Sequence, residues 1–258
     1  MPRIKLVLEY DGTHYVGWQL QPNGPSIQGR LMRALQQLLG ASVDVYAAGR
    51  TDSGVHARGQ VAVFDSPLNL PLRAYWMGLN GLLPDDVAVV KAEEVDPAFD
   101  PRRWATGKRY QYRISNLRAR SPLRRLSHWE IFQPLDLEAM RAAAQHLLGK
   151  HDFSSFRAAE CEAKHPVRVI TRADFSGAVG DEIVFTVEGT AFLRHMVRNL
   201  IGTLVNVGRS KHPPAWVKEV LEAKSREHAG VTAPPHGLTL AEVFYGSPPG
   251  PNAKGHED

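Results

Sequence analysis

Apolar and polar positions alternate with the period of a strand over Ile4–Gly12 (IKLVLEYDG), Val43–Ala48 (VDVYAA), Gln60–Asp65 (QVAVFD) and Val87–Val95 (VAVVKAEEV). Two stretches between them follow helical spacing instead. In SIQGRLMRALQQLLG, residues Ile27, Leu31, Leu35 and Leu38 share a face, with Ser26 as an N-cap and Gly40 as a stop. PLRAYWMGLNGLLP (Pro71–Pro84) reads as a second helix, weakened by Gly78 and Gly81. The order is β-α-β-β-α-β.

A linker, Asp96–Gly107 (DPAFDPRRWATG), interrupts the pattern, and the order then recurs. KRYQYRIS is a strand, and Asp136 caps a helix predicted through Leu148. PVRVITRADF and EIVFTVEG are strands joined by a turn at Gly177–Asp181, and FLRHMVRNLIGTLVNV (Phe192–Val207) is a helix. PPAWVKEVLEAK adds another helix with proline in its first turn, and LTLAEVFYG is the last strand. An insert, Asn116–Ile131, carries Arg118, Arg120, Arg124 and Arg125 and a short HWEIF strand, while HDF (His151–Phe153) reads as the exit from a helix.

The expectation is an α+β protein of two split-βαβ halves, ferredoxin-like or RRM-like, whose antiparallel sheets join into one with helices on one face. The halves are expected at 1–100 and 101–246, followed by a disordered Pro/Gly-rich tail, 247–258. Such a sheet is also how many RNA-binding modules present themselves.

Composition narrows the chemistry. Lys plus Arg exceeds Asp plus Glu by 31 to 27, a mildly basic balance that permits a nucleic-acid partner. The single cysteine, Cys161, allows neither an intramolecular disulfide nor a cysteine-based metal site and fits a reducing cytoplasm. The charged, alternating N-terminus is unlike a signal peptide, and no apolar run reaches membrane-spanning length. The histidines are scattered, and phosphate-loop and dinucleotide fingerprints are absent, so neither metal nor nucleotide cofactor is implied.

One connection is more polar than a turn requires. GRTDSGVHARG (Gly49–Gly59) sets Asp52 among Arg50, Thr51, Ser53, His56 and Arg58. It reads equally as an Asp-Ser-Gly turn or as a catalytic loop. Further along, Arg194 and Arg198 interrupt an otherwise apolar helix. Arg194 fits a solvated edge. A partly buried Arg198 needs a carboxylate or a phosphate, with Asp52, Glu188 and Asp181 as candidates. Tyr110 and Tyr112 alternate onto one face of a strand and Arg109 and Arg113 onto the other. Tyr112 reads as core or platform packing; Tyr110 is open to the same reading, and an aromatic beside a basic cleft also suits a base. Arg102, Arg103, Arg118, Arg120, Arg124 and Arg125 together read as a phosphate-contacting patch.

GRTDSGVHARGQVA resembles the GRTDAGVHA signature of the TruA family of tRNA pseudouridine synthases. EYDGTHYVGWQLQPNGPSIQG, FDPRRWATGKRYQYRI, HDFSSFR, FLRHMVRNLIGTLVNVG and TAPPHGLTL resemble further family blocks in the family's order. The departures are Ser53, where alanine is commoner, and Arg194, at a position often histidine. The resemblance implies a cofactor-free, cytoplasmic homodimer that isomerises uridine to pseudouridine in the tRNA anticodon stem-loop, at tRNA positions 38, 39 and 40. It implies Asp52 as nucleophile, Arg50 as the residue that helps flip the target nucleotide, and Arg198 as the carboxylate's partner. Tyr110 is implied as the aromatic on the uracil and a candidate to take its C5 proton, and Leu238 as an apolar cap on the base. The competing readings are a non-catalytic RNA-binding protein on the same sheet and a metal-free RNA hydrolase using His56.

Overall fold

A computed structural model describes residues 1–161 and 163–246; the expected tail, 247–258, lies outside them. Among the described residues the chain divides into two compact units, Met1–Thr106 joined by residues 240–246, and Gly107–Thr239. The α+β class is as expected, and in each unit the sheet is built from long antiparallel strands.

In the first unit, β1 (Arg3–Tyr10) lies between β3 (His56–Asp65) and β4 (Val87–Val95), antiparallel to both. A two-residue strand, β2 (Tyr46–Ala47), pairs with β3, so the order β4-β1-β3-β2 is that of a split βαβ unit. Register places Ile4 opposite Phe64, Leu6 opposite Ala62 and Leu8 opposite Gln60, which puts these side chains on one face. With Ile27, Leu31 and Leu35 of α1 (Ile27–Leu39) they are almost fully buried. The Ser26 side chain accepts from the Gly29 amide, and Gly40 closes α1 in the left-handed conformation at φ 70. Leu38, predicted on the buried face, yields that place to Leu39 and lies over Gly78 instead. A Cβ on Gly78 would stand 2.9 Å from a Leu38 methyl.

Three expectations for this unit need correction. VDVYAA is strand only at Tyr46–Ala47. β3 begins at His56 rather than at Gln60, because Ala57 already pairs with Tyr10. Pro71–Pro84 is not one regular helix: it carries a π-helical turn at Ala74–Gly78.

In the second unit, β5 (Ala105–Ser115), β9 (Glu182–Gly189), β8 (Val167–Gly177) and β7 (Gly149–Asp152) run in that order, each antiparallel to the next. β6 (Trp129–Glu130) adds to β5 in parallel. HDF is therefore part of an edge strand and its exit, not a helix exit. α2 (Leu137–Gln145) is shorter than predicted and is capped by Asp136, which accepts from the Ala139 amide. α3 (Met196–Gly208) begins four residues later than Phe192, after His195 takes a left-handed φ of 62. The prolines 213 and 214 precede α4 (Trp216–Ala223) rather than opening it, and their carbonyls accept from the Trp216 and Val217 amides. The last strand, β10 (Leu238–Tyr245), lies beside β3 once it re-enters the first unit. A Cβ on Gly59 would stand 2.5 Å from the Ala241 carbonyl oxygen, so glycine permits that approach.

The insert is tied down by its polar residues. His128, buried, lies 2.8 Å from Glu182, and Arg124 donates to Asp181. Arg113 also reaches Glu182, and Arg125 donates to the Pro122 carbonyl. Of the insert's expected phosphate patch, Arg124 is committed to an ion pair, while Arg118 and Arg120 stay exposed.

Candidate active site

The loop Ala48–Val55 carries Asp52 and is built against the segment that follows β1. At its start, the Ala48 amide donates to Val61, and the Gln60 side chain donates to the Gly49 carbonyl at 2.8 Å. Thr51 is buried; its hydroxyl meets that of Tyr10 at 2.8 Å, and its carbonyl accepts from the Trp18 amide. On the far side of Asp52, the Gly54 amide and the Ser53 hydroxyl both donate to the Tyr15 carbonyl, and the Val55 amide donates back to the Asp52 carbonyl. Val55 is buried again.

Close backbone approach explains two glycines. A Cβ on Gly12 would stand 2.0 Å from the Val55 carbonyl oxygen, and one on Gly17 would stand 2.6 Å from the Thr51 carbonyl oxygen. The loop is thus pinned at both ends, with half-buried Asp52 and exposed Arg50 between fixed neighbours. Burial pushes the Tyr10 phenol well up, so at neutral pH it stays protonated, and either hydroxyl can donate in its bond to Thr51.

His56, at the start of β3, is buried, and its Nδ1 accepts from the Gly12 amide at 3.1 Å. The same Nδ1 lies 3.1 Å from an Asp11 oxygen. Burial works against ionisation of Asp11, but the Thr13 hydroxyl and amide, with His56 and His14 nearby, draw its pKa below the usual carboxylate range. His56 therefore braces the turn under the loop. Arg58 is exposed.

In the second unit, Tyr110 on β5 is 9% exposed and sets its ring edge-on against Phe192, with centroids 5.1 Å apart. Tyr112, two residues on, is fully buried, and its hydroxyl donates to the Pro234 carbonyl. Arg109 and Arg113 take the other face, paired with Glu188 and Glu182. Arg198 is half-buried, and its Nε donates to the Ala233 carbonyl at 2.7 Å. The two alternative partners are engaged elsewhere, Glu188 by Arg109 and Arg172 and Asp181 by Arg124. Arg194 is exposed and pairs with Glu160. Leu238 is 5% exposed, so it presents little of its side chain beyond the fold.

Sequence reasoning missed what orders the segment before Leu238. Asn199, fully buried on α3, donates to the Phe156 carbonyl and accepts from Thr232 and Arg226. Gly202 and Gly230 let α3 and this segment touch through their backbones: a Cβ on Gly202 would stand 1.8 Å from the Val231 carbonyl oxygen. Asn199 sits one residue from Arg198, and a polar residue in so apolar a helix was the available signal. The first unit thus holds Asp52 and Arg50, and the second gathers Arg198, Tyr112 and the 233–238 segment, with Tyr110 on Phe192.

Among the described residues no group of His, Cys, Asp and Glu side chains could hold a metal ion. No helix among them is long and apolar enough to cross a membrane. The first unit thus presents one carboxylate on a loop held at both ends, on an α+β scaffold. The tRNA pseudouridine synthase family model matches residues 6–102 and 143–246. A tRNA pseudouridine synthase A of Myxococcus xanthus is 67% identical over 245 residues, covering 95% of this chain and 92% of the relative. Those of Geobacter sulfurreducens and Geotalea daltonii are 51% and 48% identical over 95% of this chain and all of theirs. The chain belongs to the tRNA pseudouridine synthase family, isomerases that convert uridine to pseudouridine in tRNA.

Proposed function

We propose that the protein forms pseudouridine at positions 38, 39 and 40 of the tRNA anticodon stem-loop, with Asp52 as the nucleophile. The observation that carries this reading is the pinned loop: Thr51 and Val55 are buried on either side of a half-buried carboxylate. A module that only bound RNA would gain nothing from a carboxylate held so firmly, since phosphates repel it.

The reaction is a balanced isomerisation. The N1–C1′ bond breaks, the uracil turns, a C5–C1′ bond forms, the C5 proton leaves and N1 takes up a proton. No redox change occurs. A carboxylate serves by adding at C6, by attacking C1′ or by stabilising a glycal-forming step, and each route needs it ionised and fixed. Arg50, exposed two residues away, helps hold the flipped nucleotide. Tyr110 packs on the uracil, Leu238 caps it, and Arg198 keeps the nucleophile ionised. The same reading makes the enzyme a cofactor-free cytoplasmic homodimer.

The test is incubation with an unmodified tRNA transcript and no added cofactor, followed by position-resolved pseudouridine mapping. Pseudouridine at 38–40 is expected from the wild type and none from Asp52→Ala, which retains tRNA binding. Normal yield from Asp52→Ala removes the nucleophile assignment, and cleaved tRNA supports a hydrolase instead.

A further inference from the structure

The first unit contains a second basic site apart from the Asp52 loop. Arg30 and Arg33 stand one turn apart on α1 and line an open cavity of about 390 Å³ with Gln37, Leu82, Leu83 and Pro84. The lining contains no carboxylate. Neither arginine forms an ion pair among the described residues. The Nε of Arg30 is buried and makes no hydrogen bond there.

A buried N–H on a charged group without an acceptor is uncommon and calls for an explanation. Two guanidinium groups facing one cavity also repel each other. An oxyanion would correct both defects, because it offers several acceptors and a compensating charge, and the planar guanidinium fork suits phosphate oxygens. Arg33, exposed, would be an ordinary solvated side chain if it stood alone. Its convergence on a single cavity with Arg30, whose Nε alone lacks a partner, makes it otherwise.

Asp86, which shares Tyr15 with Arg30, is already engaged. Tyr15 donates to Asp86 at 2.5 Å, and its phenol, pushed up to about 12 by burial and by Asp86, also takes a side-chain hydrogen bond from Arg30, which leaves the Nε of that guanidinium as the group without an acceptor. The apolar wall of Leu82, Leu83 and Pro84 gives the cavity room for more than a bare ion. Tyr15 also connects the cavity to the catalytic loop, because its carbonyl receives Ser53 and Gly54.

From these observations we infer that the Arg30–Arg33 cavity binds a backbone phosphodiester of the RNA substrate, with the adjoining sugar against the Leu82–Pro84 wall. The inference rests on the substrate being tRNA. The phosphate would fix the register of the RNA through the same segment that pins the Asp52 loop.

The experiment is binding of an unmodified tRNA transcript to the full chain over a series of salt concentrations. It compares wild type, Arg33→Gln, Arg33→Lys and the Arg30→Gln/Arg33→Gln pair, with thermal melts to show that each is folded. Loss of one phosphate contact lowers the slope of log K against log salt by about 0.9 and weakens binding about eightfold at 0.1 M salt. That result is expected for Arg33→Gln, with a larger effect for the pair and recovery in Arg33→Lys. A folded Arg33→Gln with wild-type affinity and slope overturns the inference. Binding is read without pseudouridine formation. An arginine-dependent slope in a protein that makes no pseudouridine defeats the catalytic reading and leaves this one standing.

Discussion

The hydroxyl groups of Tyr10 and Thr51 meet at 2.8 Å inside the first unit, one residue from Asp52. Tyr10 ends β1 and Thr51 belongs to the loop, so this bond fixes the loop to the sheet at the point where placement of the carboxylate is set. Tyr10→Phe leaves the buried Thr51 hydroxyl without this partner, at a cost of about 1–2 kcal/mol. The expected outcome is a lower denaturant midpoint together with slower pseudouridine formation at saturating tRNA. Thr51→Val should do the same, and the double variant should cost less than the sum of the two. Additive losses in a denaturation cycle would show that the two hydroxyls do not act as a unit.

Gly202 makes the equivalent contribution in the second unit. Its missing side chain lets Val231 approach, and Asn199, Thr203 and Thr232 then close hydrogen bonds around the contact. Gly202→Ala would place a carbon 1.8 Å from the Val231 oxygen, so the segment must move. Overpacking of this kind costs about 1–3 kcal/mol. We expect a matching loss of stability in urea and loss of activity beyond what partial unfolding explains, because the segment carries Ala233, Pro234 and Leu238. Unchanged stability would mean that helix and segment separate freely.

The elements governed by local rules were legible in the sequence. Ser26 and Gly40 bound α1 as the capping rules require, and the alternation in β4 gave its limits directly. What stayed hidden depends on partners distant in the chain. His56 and Arg58 looked like loop residues because they are polar, yet Tyr10 draws Ala57 into the sheet. The apolar Phe192 looked helical, but it turns its ring onto Tyr110 before α3 begins. GKHD shows no strand periodicity and becomes β7 only because β8 offers an edge. At the site, the motif singled out Asp52, whereas Tyr10, Thr51 and Asn199, which hold the two motif segments in place, show their purpose only in three dimensions.

Arg198 tests how far guanidinium geometry matters. Its Nε donates to the Ala233 carbonyl at 2.7 Å. Lysine has a single ammonium and cannot hold Ala233 and serve a second acceptor with the same fork. Arg198→Lys should lower the turnover rate by about tenfold or more while tRNA binding changes little, since one lost charge-assisted bond is worth roughly 1.5–3 kcal/mol. Single-turnover kinetics at saturating tRNA measure this, and a wild-type rate counts against the role assigned to Arg198.

Acid sensitivity follows from Glu188 on β9. Its side chain is 18% exposed and meets Arg109 at 2.7 Å and Arg172 at 3.3 Å. Burial alone would raise its pKa, but the two guanidinium groups draw it below the usual glutamate value. A carboxylate whose folded pKa lies below its unfolded one stabilises the protein fully above the unfolded value, about 4.3, and that contribution is lost as pH falls through the folded pKa. Glu188→Gln removes the charge at every pH and leaves Arg109 and Arg172 short of an anion. At pH 7 the variant should therefore be less stable than wild type, by on the order of 1–2 kcal/mol. Below pH 5 the difference should shrink, because wild type loses the same charge by protonation. Urea denaturation at pH 7, 5, 4 and 3 measures the gap, and a gap that stays constant or widens toward acid would show that the ion pair does not link folding to protonation.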